Sequence, residues 1–432
     1  MNKSVIMCTL LACTMALAHA AAQLPVIHPA LATTAASSDS SIVIRLTEKK
    51  QHFSAATDGY DKDIMSPKSV SYHPDGTKYY VNSLEGCRTV VYDALTHKKL
   101  RVIRYVFDEK ADSALWEKPS GLYPWRHYTD HLNTFSGKPV ESTFSHHGRY
   151  LWIPFYRRSF DINAQDPSAV AIVDTKTDSI VRLMETGPLP KMIATSNNGH
   201  TVAITHWGNN TVGLVDISSA NPHEWYHKRV VTIDYELTLN YPLDSAVNRD
   251  SGSGYALRGT VFTPDDKYLL VGCMAGGGIA VIDLTTDQYL GRATGMMSSV
   301  RHLAIANNYL YLSINNGGCV QRIRLNDFLT QATTNMKKRL ATTQGWETCR
   351  VGGGARTISL TPNGRYVLAA CNTASALYVV DTKTMKCVCN IAADSYPVGL
   401  DISADGHTAI VTSQGRTNGG GNAVDVYHID YR

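Results

Sequence analysis

One local pattern returns seven times along this chain. At Ser69 to Val81 a strand-like run enters a tight turn, His73-Pro74-Asp75-Gly76, and leaves as a second strand-like run. The pattern recurs around His147-Gly148, Asn198-Gly199, Asp265-Asp266, Asn307-Asn308, Asn363-Gly364 and Asp405-Gly406. Asp-Gly and Asn-Gly supply the positive φ that a two-residue hairpin requires, and the flanks alternate or run apolar as half-buried strands do. A hairpin repeated at this spacing commits the chain to a repeat architecture.

A third strand follows most hairpins and ends in an acid: Val90-Val91-Tyr92-Asp93, Ala171-Ile172-Val173-Asp174, Gly213-Leu214-Val215-Asp216, Ala280-Val281-Ile282-Asp283 and Tyr378-Val379-Val380-Asp381. A turn such as Thr382-Lys383-Thr384 and a fourth strand close each unit. The expected fold is therefore all-β: a seven-bladed β-propeller of four-stranded antiparallel blades, each burying its faces against its neighbours. The last unit stops after its third strand, at Ile429-Asp430, and Ile42 to Leu46 is expected to supply the missing outer strand and close the ring.

These motifs resemble the YVTN-type β-propeller repeat family. Thr361-Pro362-Asn363-Gly364-Arg365-Tyr366-Val367-Leu368 with Leu377-Tyr378-Val379-Val380-Asp381-Thr382 is the best match, and the resemblance spans about residues 42 to 430. It implies the propeller fold and says little of function, since such relatives include exported binding proteins, surface proteins and lactonase-like enzymes. The fifth unit departs from the pattern, with Arg324-Leu325-Asn326 in place of the apolar-Asp ending, and several insertions are long.

Residues 1–20 read as a signal peptide, with Lys3, an apolar run from Val5 to Leu17, and Ala18-His19-Ala20 as a cleavage pattern. Leu10-Leu11-Ala12-Cys13 offers lipoprotein processing as the rival. The expected organisation is leader 1–20, linker 21–41 and propeller 42–432, in a periplasmic, cell-surface or secreted protein. No later run has the roughly 18 apolar residues of a membrane span. A net charge of +4 excludes only a strongly polybasic nucleic-acid binder. Cys87, Cys273, Cys319, Cys349, Cys371, Cys387 and Cys389 lie beyond the leader; their odd number and the lack of CxxC argue for apolar packing rather than disulfides or zinc.

In a propeller the loops between blades share a face with those joining second to third strands. Four of these are enlarged: Asp108 to Lys138, Glu236 to Gly254, Tyr156 to Ser168 and Gln414 to Asn422. They form either a cup over the channel or a lid on blade edges. Aligned on their hairpins, the units place Lys68, Val140, Lys191, Arg258, Arg301, Arg356 and Val398 at equivalent positions, so that five of seven inner strands begin with a base. Arg157, Arg158, His206, Trp207, His302 and Arg416 are expected on the same face. A concave site of one charge sign attracts anions, and Arg binds carboxylate or phosphate bidentately. The alternative is pairing with rim acids such as Glu85, Glu141 and Asp161. Trp116, Tyr123, Trp125, Tyr128 and Phe135 offer either stacking surface for a ligand or a small core for their own loop.

His223-Glu224-Trp225-Tyr226-His227 matches HExxH, but Asn221 and Pro222 favour a single helical turn running into a strand. His127, His131, His146 and His147 form the other histidine-rich set, and no phosphate-loop, dinucleotide or serine-hydrolase motif occurs. The leading expectation is thus an exported, non-enzymatic propeller without a cofactor, binding an anionic small molecule, polymer or protein partner at the insertion-bearing face. A lactonase- or lyase-like enzyme at the channel mouth is the alternative, and a purely structural scaffold the third.

Overall fold

The computed structural model describes residues 24–237, 247–416 and 419–432. The expected leader lies outside them, as do parts of the insertions at Glu236 to Gly254 and Gln414 to Asn422. Seven antiparallel sheets follow one another around a ring, each entered at its innermost strand. Blade 1 runs Pro67–Tyr72, Lys78–Ser83, Arg88–Asp93 and Lys99–Arg104. Blades 3, 4, 5, 6 and 7 begin at Pro190–Thr195, Leu257–Phe262, Val300–Ala306, Ala355–Leu360 and Pro397–Ile402. In blade 2 the inner strand is split into Phe135–Pro139 and Thr143–Ser145, both paired to Tyr150–Arg158.

The apolar residues of facing blades form seven core clusters, one per interface. Between blades 2 and 3, for example, Trp152 stacks on Trp225 with ring centroids 5.1 Å apart, both fully buried. Each such side chain contributes about 1.5–3 kcal/mol by leaving water, so no blade is stable without its neighbours.

Local chemistry explains the repeated sequence signals. Gly76, Gly199, Gly364 and Gly406 all take positive φ. The preceding Asp75, Asn198, Asn363 and Asp405 accept the backbone N–H two residues on, at 2.9 Å in each case. These hairpins hold four residues between the last paired positions rather than the expected two, as in His73 N to Lys78 O. The two-residue turn occurs in blade 5, where Ala306 pairs with Tyr309 and both Asn307 and Asn308 have positive φ. The acids ending third strands act alike: Asp93, Asp174, Asp283 and Asp381 accept N–H groups from the turn that follows.

Closure is as expected and more extensive. Ile42–Gln51 pairs antiparallel with Ala423–Tyr431, and Thr34–Ala36 adds a fifth strand outside it. The expected linker is therefore partly built into the ring. Ile27 exchanges hydrogen bonds with Ser395, and His28 Nδ1 lies 2.5 Å from Asp394. The departure in the fifth unit is a helix, Leu325–Thr334, which buries Leu325, Phe328 and Ala332. Beyond it, Leu340–Thr342 runs parallel to the outer strand of blade 4 before Glu347–Arg350 completes blade 5.

A basic cluster at the mouth of the channel

The aligned bases share a structural cause. In six blades the pairing of first and second strands slips by one residue near the start of the inner strand, between Pro67 and Val70, Pro190 and Met192, Leu257 and Thr260, Val300 and His302, Ala355 and Thr357, and Pro397 and Gly399. The extra residue is Lys191, Arg301, Arg356 and Val398 in four of these, and Lys68 and Arg258 lie within the slip in the other two. A β-bulge leaves a residue outside the ladder and re-aims its side chain. Five bulges therefore carry a base.

The bulges are stapled from the neighbouring blade. Thr412 donates its hydroxyl to the Lys68 carbonyl at 3.2 Å, Ser313 to Arg356 at 2.6 Å and Thr357 to Val398 at 2.7 Å. Gly259 and Gly399 follow the bulge where inner strands come closest. A Cβ at Gly399 would lie 2.7 Å from the Lys68 carbonyl, and one at Gly259 2.8 Å from Leu303 N.

Four of the five bases are covered: Lys68 is 8% exposed, Lys191 9%, Arg258 4% and Arg356 6%. Burial first, and then the guanidinium groups of Arg356, Arg258 and Arg301, hold the Lys68 amine well below the usual lysine range, against the pull of Glu141. Arg301 is lowered for the same reasons, by burial and then by Arg356 and Arg258. Burial takes Lys191 down to about 7 although Asp250 opposes it, and His302, beside Arg258 and Arg301, falls to about 4. These groups act on one another across the ring, so the inner strands bring them to one place.

The cluster divides into two halves. In blades 2 to 4, Arg258 Nη2 meets Glu141 at 3.1 Å. Lys191 Nζ meets Asp250 at 3.0 Å and lies 4.1 Å from the Tyr156 ring and 5.2 Å from Trp207. Trp207 in turn donates its indole N–H to the Asp250 carbonyl at 3.1 Å. In blades 5, 6 and 1 no carboxylate among the described residues pairs with Arg301, Arg356 or Lys68. Arg301 reaches the Met274 thioether, at 3.2 Å, the Arg356 guanidinium lies 6.0 Å from the Tyr396 ring, the buried Nε of each is unpartnered, and Glu141 acts on all three bases from beyond ion-pair distance.

Other expected site residues are committed elsewhere. Arg158 is 2% exposed and belongs to the core of the first insertion. It donates to the Leu132 carbonyl and to Asn133 at 2.9 Å, with its guanidinium 4.8 Å from the Trp125 ring and 4.7 Å from Phe135. Trp125 and Phe135 thus make the core of their own loop around Arg158, Tyr123 packs edge-on against His206 and His227 of blade 3, and Trp116 and Glu117 reach the outer edges of blades 2 and 3 rather than the channel. His206 is fully buried. Its Nε2 accepts from Gly187 N at 3.1 Å and its Nδ1 faces Thr211 at 2.7 Å, while burial lowers it to about 3. Arg157 turns back to the Ile162 carbonyl of its own loop. Arg416 donates to the Thr373 carbonyl at 2.8 Å and to Ser375 at 2.9 Å, touching the cluster only through Tyr396. The HExxH histidines do not share a helix: Pro222–Glu224 is a single turn capped by Asn221, and His227 lies in the strand Tyr226–Thr232, bonded to Glu117 at 2.9 Å.

Tyr396, Glu141 and Asp250 complete the cluster. Tyr396 carries no signal in the aligned units, because it precedes the inner strand of blade 7, where the bulge residue is apolar.

No family model matches the chain, and no curated protein matches it. Among solved structures it is similar to a chain of hydrazine synthase from Kuenenia stuttgartiensis, with TM-score 0.56 and 14% identity over 87% of this chain and 98% of that one. It is also similar to the β-propeller domain of Cps50 (Swd1) from Myceliophteria thermophila, with TM-score 0.57 and 11% identity over 88% and 99%. Among the described residues no helix is long and apolar enough to cross a membrane. Both likenesses are of fold, and the chain is a seven-bladed β-propeller, an architecture suited in general to binding and scaffolding.

Proposed function

We propose that this protein is an exported member of the YVTN-type propellers that binds an anionic ligand at the channel mouth. The observation that carries the reading is the cluster of buried bases on bulges, three of them without a carboxylate partner among the described residues. Buried charge is costly unless compensated, and a site that holds uncompensated cations gains that compensation from an anion. Hydrogen-bond donors already fixed by packing lose little freedom when the ligand arrives.

The test is thermal unfolding of the full chain against carboxylates, phosphate esters, anionic sugars and lactones, repeated on the triple variant R258E/R301E/R356E. A ligand at about 100 times its Kd should stabilise by about 2.7 kcal/mol. A shift in the wild type that the folded variant lacks supports the reading, and equal behaviour of the two overturns it. Turnover of a lactone found in this way would move the assignment to the enzyme.

A further inference from the structure

The two halves of the cluster differ in charge balance, and that difference bears on the kind of anion. Blades 2 to 4 contribute Lys191 and Arg258 with Asp250 and Glu141, so their charges cancel within direct ion pairs. The arc running through blades 5, 6, 7 and 1 contributes Arg301, Arg356 and Lys68 with no acid paired to them among the described residues. Between Arg356 and Lys68 stands Val398, whose bulge carries no charge or polar side-chain atom. Tyr396 presents its hydroxyl beside Arg356 on the same arc.

Resting on the reading of the mouth as an anion site, we infer that the ligand is a compact anion with two or more negative charges, held on the arc of blades 5, 6, 7 and 1. A single carboxylate can take one guanidinium in a bidentate pair and would leave the other cations as they are. A dicarboxylate, tricarboxylate or phosphate places charge against several at once. The ligand must be small at this point, because Arg356 and Lys68 are each more than nine-tenths covered and leave little surface for a bulky group to touch. Blades 2 to 4 act as a neutral wall that limits where the charge can sit.

Lys68 faces Arg356, Arg258, Arg301 and Glu141, and it also acts on Asp250. The crowding of cations and its burial disfavour its proton in the free protein. A dianion among those groups reverses the local sign of charge, so binding takes up protons at Lys68 and at Lys191, which burial holds at about 7 beside Arg258 and Arg301, and tightens as pH falls.

The experiment is isothermal titration calorimetry of the full chain at constant ionic strength with acetate, malonate, citrate and inorganic phosphate. Malonate should bind at least about tenfold more tightly than acetate. R301Q and R356Q should each weaken malonate about tenfold or more, while the charge-neutral K191M/D250N changes it less than about threefold. Malonate titrated at about pH 7.5 in two buffers of different ionisation enthalpy should show net proton uptake, which K68M should reduce and K68M/K191M abolish. This measurement stands even where an arginine variant fails to fold. Equal affinity for acetate and malonate, or a loss in K191M/D250N as large as in R356Q, or malonate binding without proton uptake, would overturn the inference while leaving the mouth an anion site. Failure of all four anions to bind saturably would sink that broader reading as well.

Discussion

Two arginines of this chain are buried to nearly the same degree and live in opposite surroundings. Arg158, 2% exposed, is wrapped by Trp116, Trp125 and Phe135 and donates to backbone carbonyls and Asn133. Arg356, 6% exposed, lies among other cations, Tyr396 and a more distant Glu141, with no direct ion pair among the described residues. The first belongs to the core of an inserted loop, where cation–π contacts and carbonyls offset part of its desolvation, although its buried Nε is unpartnered as well and burial lowers it to about 9. The second raises the energy of the free protein. Burial of a charge is therefore not informative by itself; what surrounds the charge separates a structural arginine from one awaiting a ligand.

The largest effect is expected at Arg158. Arg158→Ala should cost about 3–5 kcal/mol in denaturant unfolding, since it empties a cavity among aromatic rings and orphans carbonyls. Malonate affinity of the folded fraction should not change. A variant of unchanged stability would mean that the insertion does not depend on this guanidinium.

The two buried histidines sharpen the contrast through pH. His206 is held near 3 against an unfolded value near 6.5, so the stability tied to its neutral form is complete above about pH 6.5 and is lost as pH falls toward 3, by about 1.4 kcal/mol per unit. His206→Asn should flatten that part of a stability–pH curve. His302, near 4 because of burial and then Arg258 and Arg301, should titrate higher when malonate is bound, whereas His206 should not move. NMR titration of the two imidazoles checks this, and equal movement of both would place the anion elsewhere.

At the mouth, removing a charge should help the fold. Lys68→Met should raise stability by about 1–3 kcal/mol, because it takes out a buried amine that must give up its proton on folding and lacks a carboxylate partner among the described residues, while weakening anion binding. Loss of stability on this substitution would show that Lys68 is compensated. The smallest effect is expected at Arg157, which sits beside Tyr156 but turns to its own loop; Arg157→Ala should stay within about 0.5 kcal/mol in stability and leave malonate binding unchanged.

Arg157 and Arg158 also mark the limit of what is legible in the sequence. The hairpin turns act as rulers, because an Asp or Asn that accepts the N–H two residues on fixes where strands begin, and measuring back from them puts Lys68, Lys191, Arg258, Arg301 and Arg356 in register from the sequence alone. Arg157 and Arg158 lie at the far end of a nine-residue strand, Tyr150–Arg158, where the pairing with the inner strand shifts. Adjacent residues there point to opposite sides, and counting from a turn does not say which goes inward. His206 reads as a rim residue for the same reason, yet Gly187 leaves room for its ring, since a Cβ there would lie 2.5 Å from the imidazole. The helix Leu325–Thr334 does carry a signal, apolar residues at 325, 328, 329 and 332, but it stands where the repeat calls for a turn. The pairing of Lys191 with Asp250 joins a bulge to a long insertion, a contact no repeat unit contains.

The pairing of Ile42–Gln51 with Ala423–Tyr431 has a consequence for how the molecule comes into being. The outer strand of the seventh blade is made before its partner, with six blades synthesised between them, so the ring is sealed only after Ala423–Tyr431 has emerged. Contacts this distant in sequence form slowly, because the intervening loop must be closed before they repay it. Until then the half-finished seventh blade shows an open edge on each side, a template for pairing with another chain. A partner strand that arrives before the protein's own N-terminal segment would trap an open arc or join two rings through swapped strands. The extra strand at Thr34–Ala36 and the clasp of Ile27 and His28 onto Ser395 and Asp394 oppose this, because they make the intramolecular closure longer than any edge a stranger could supply.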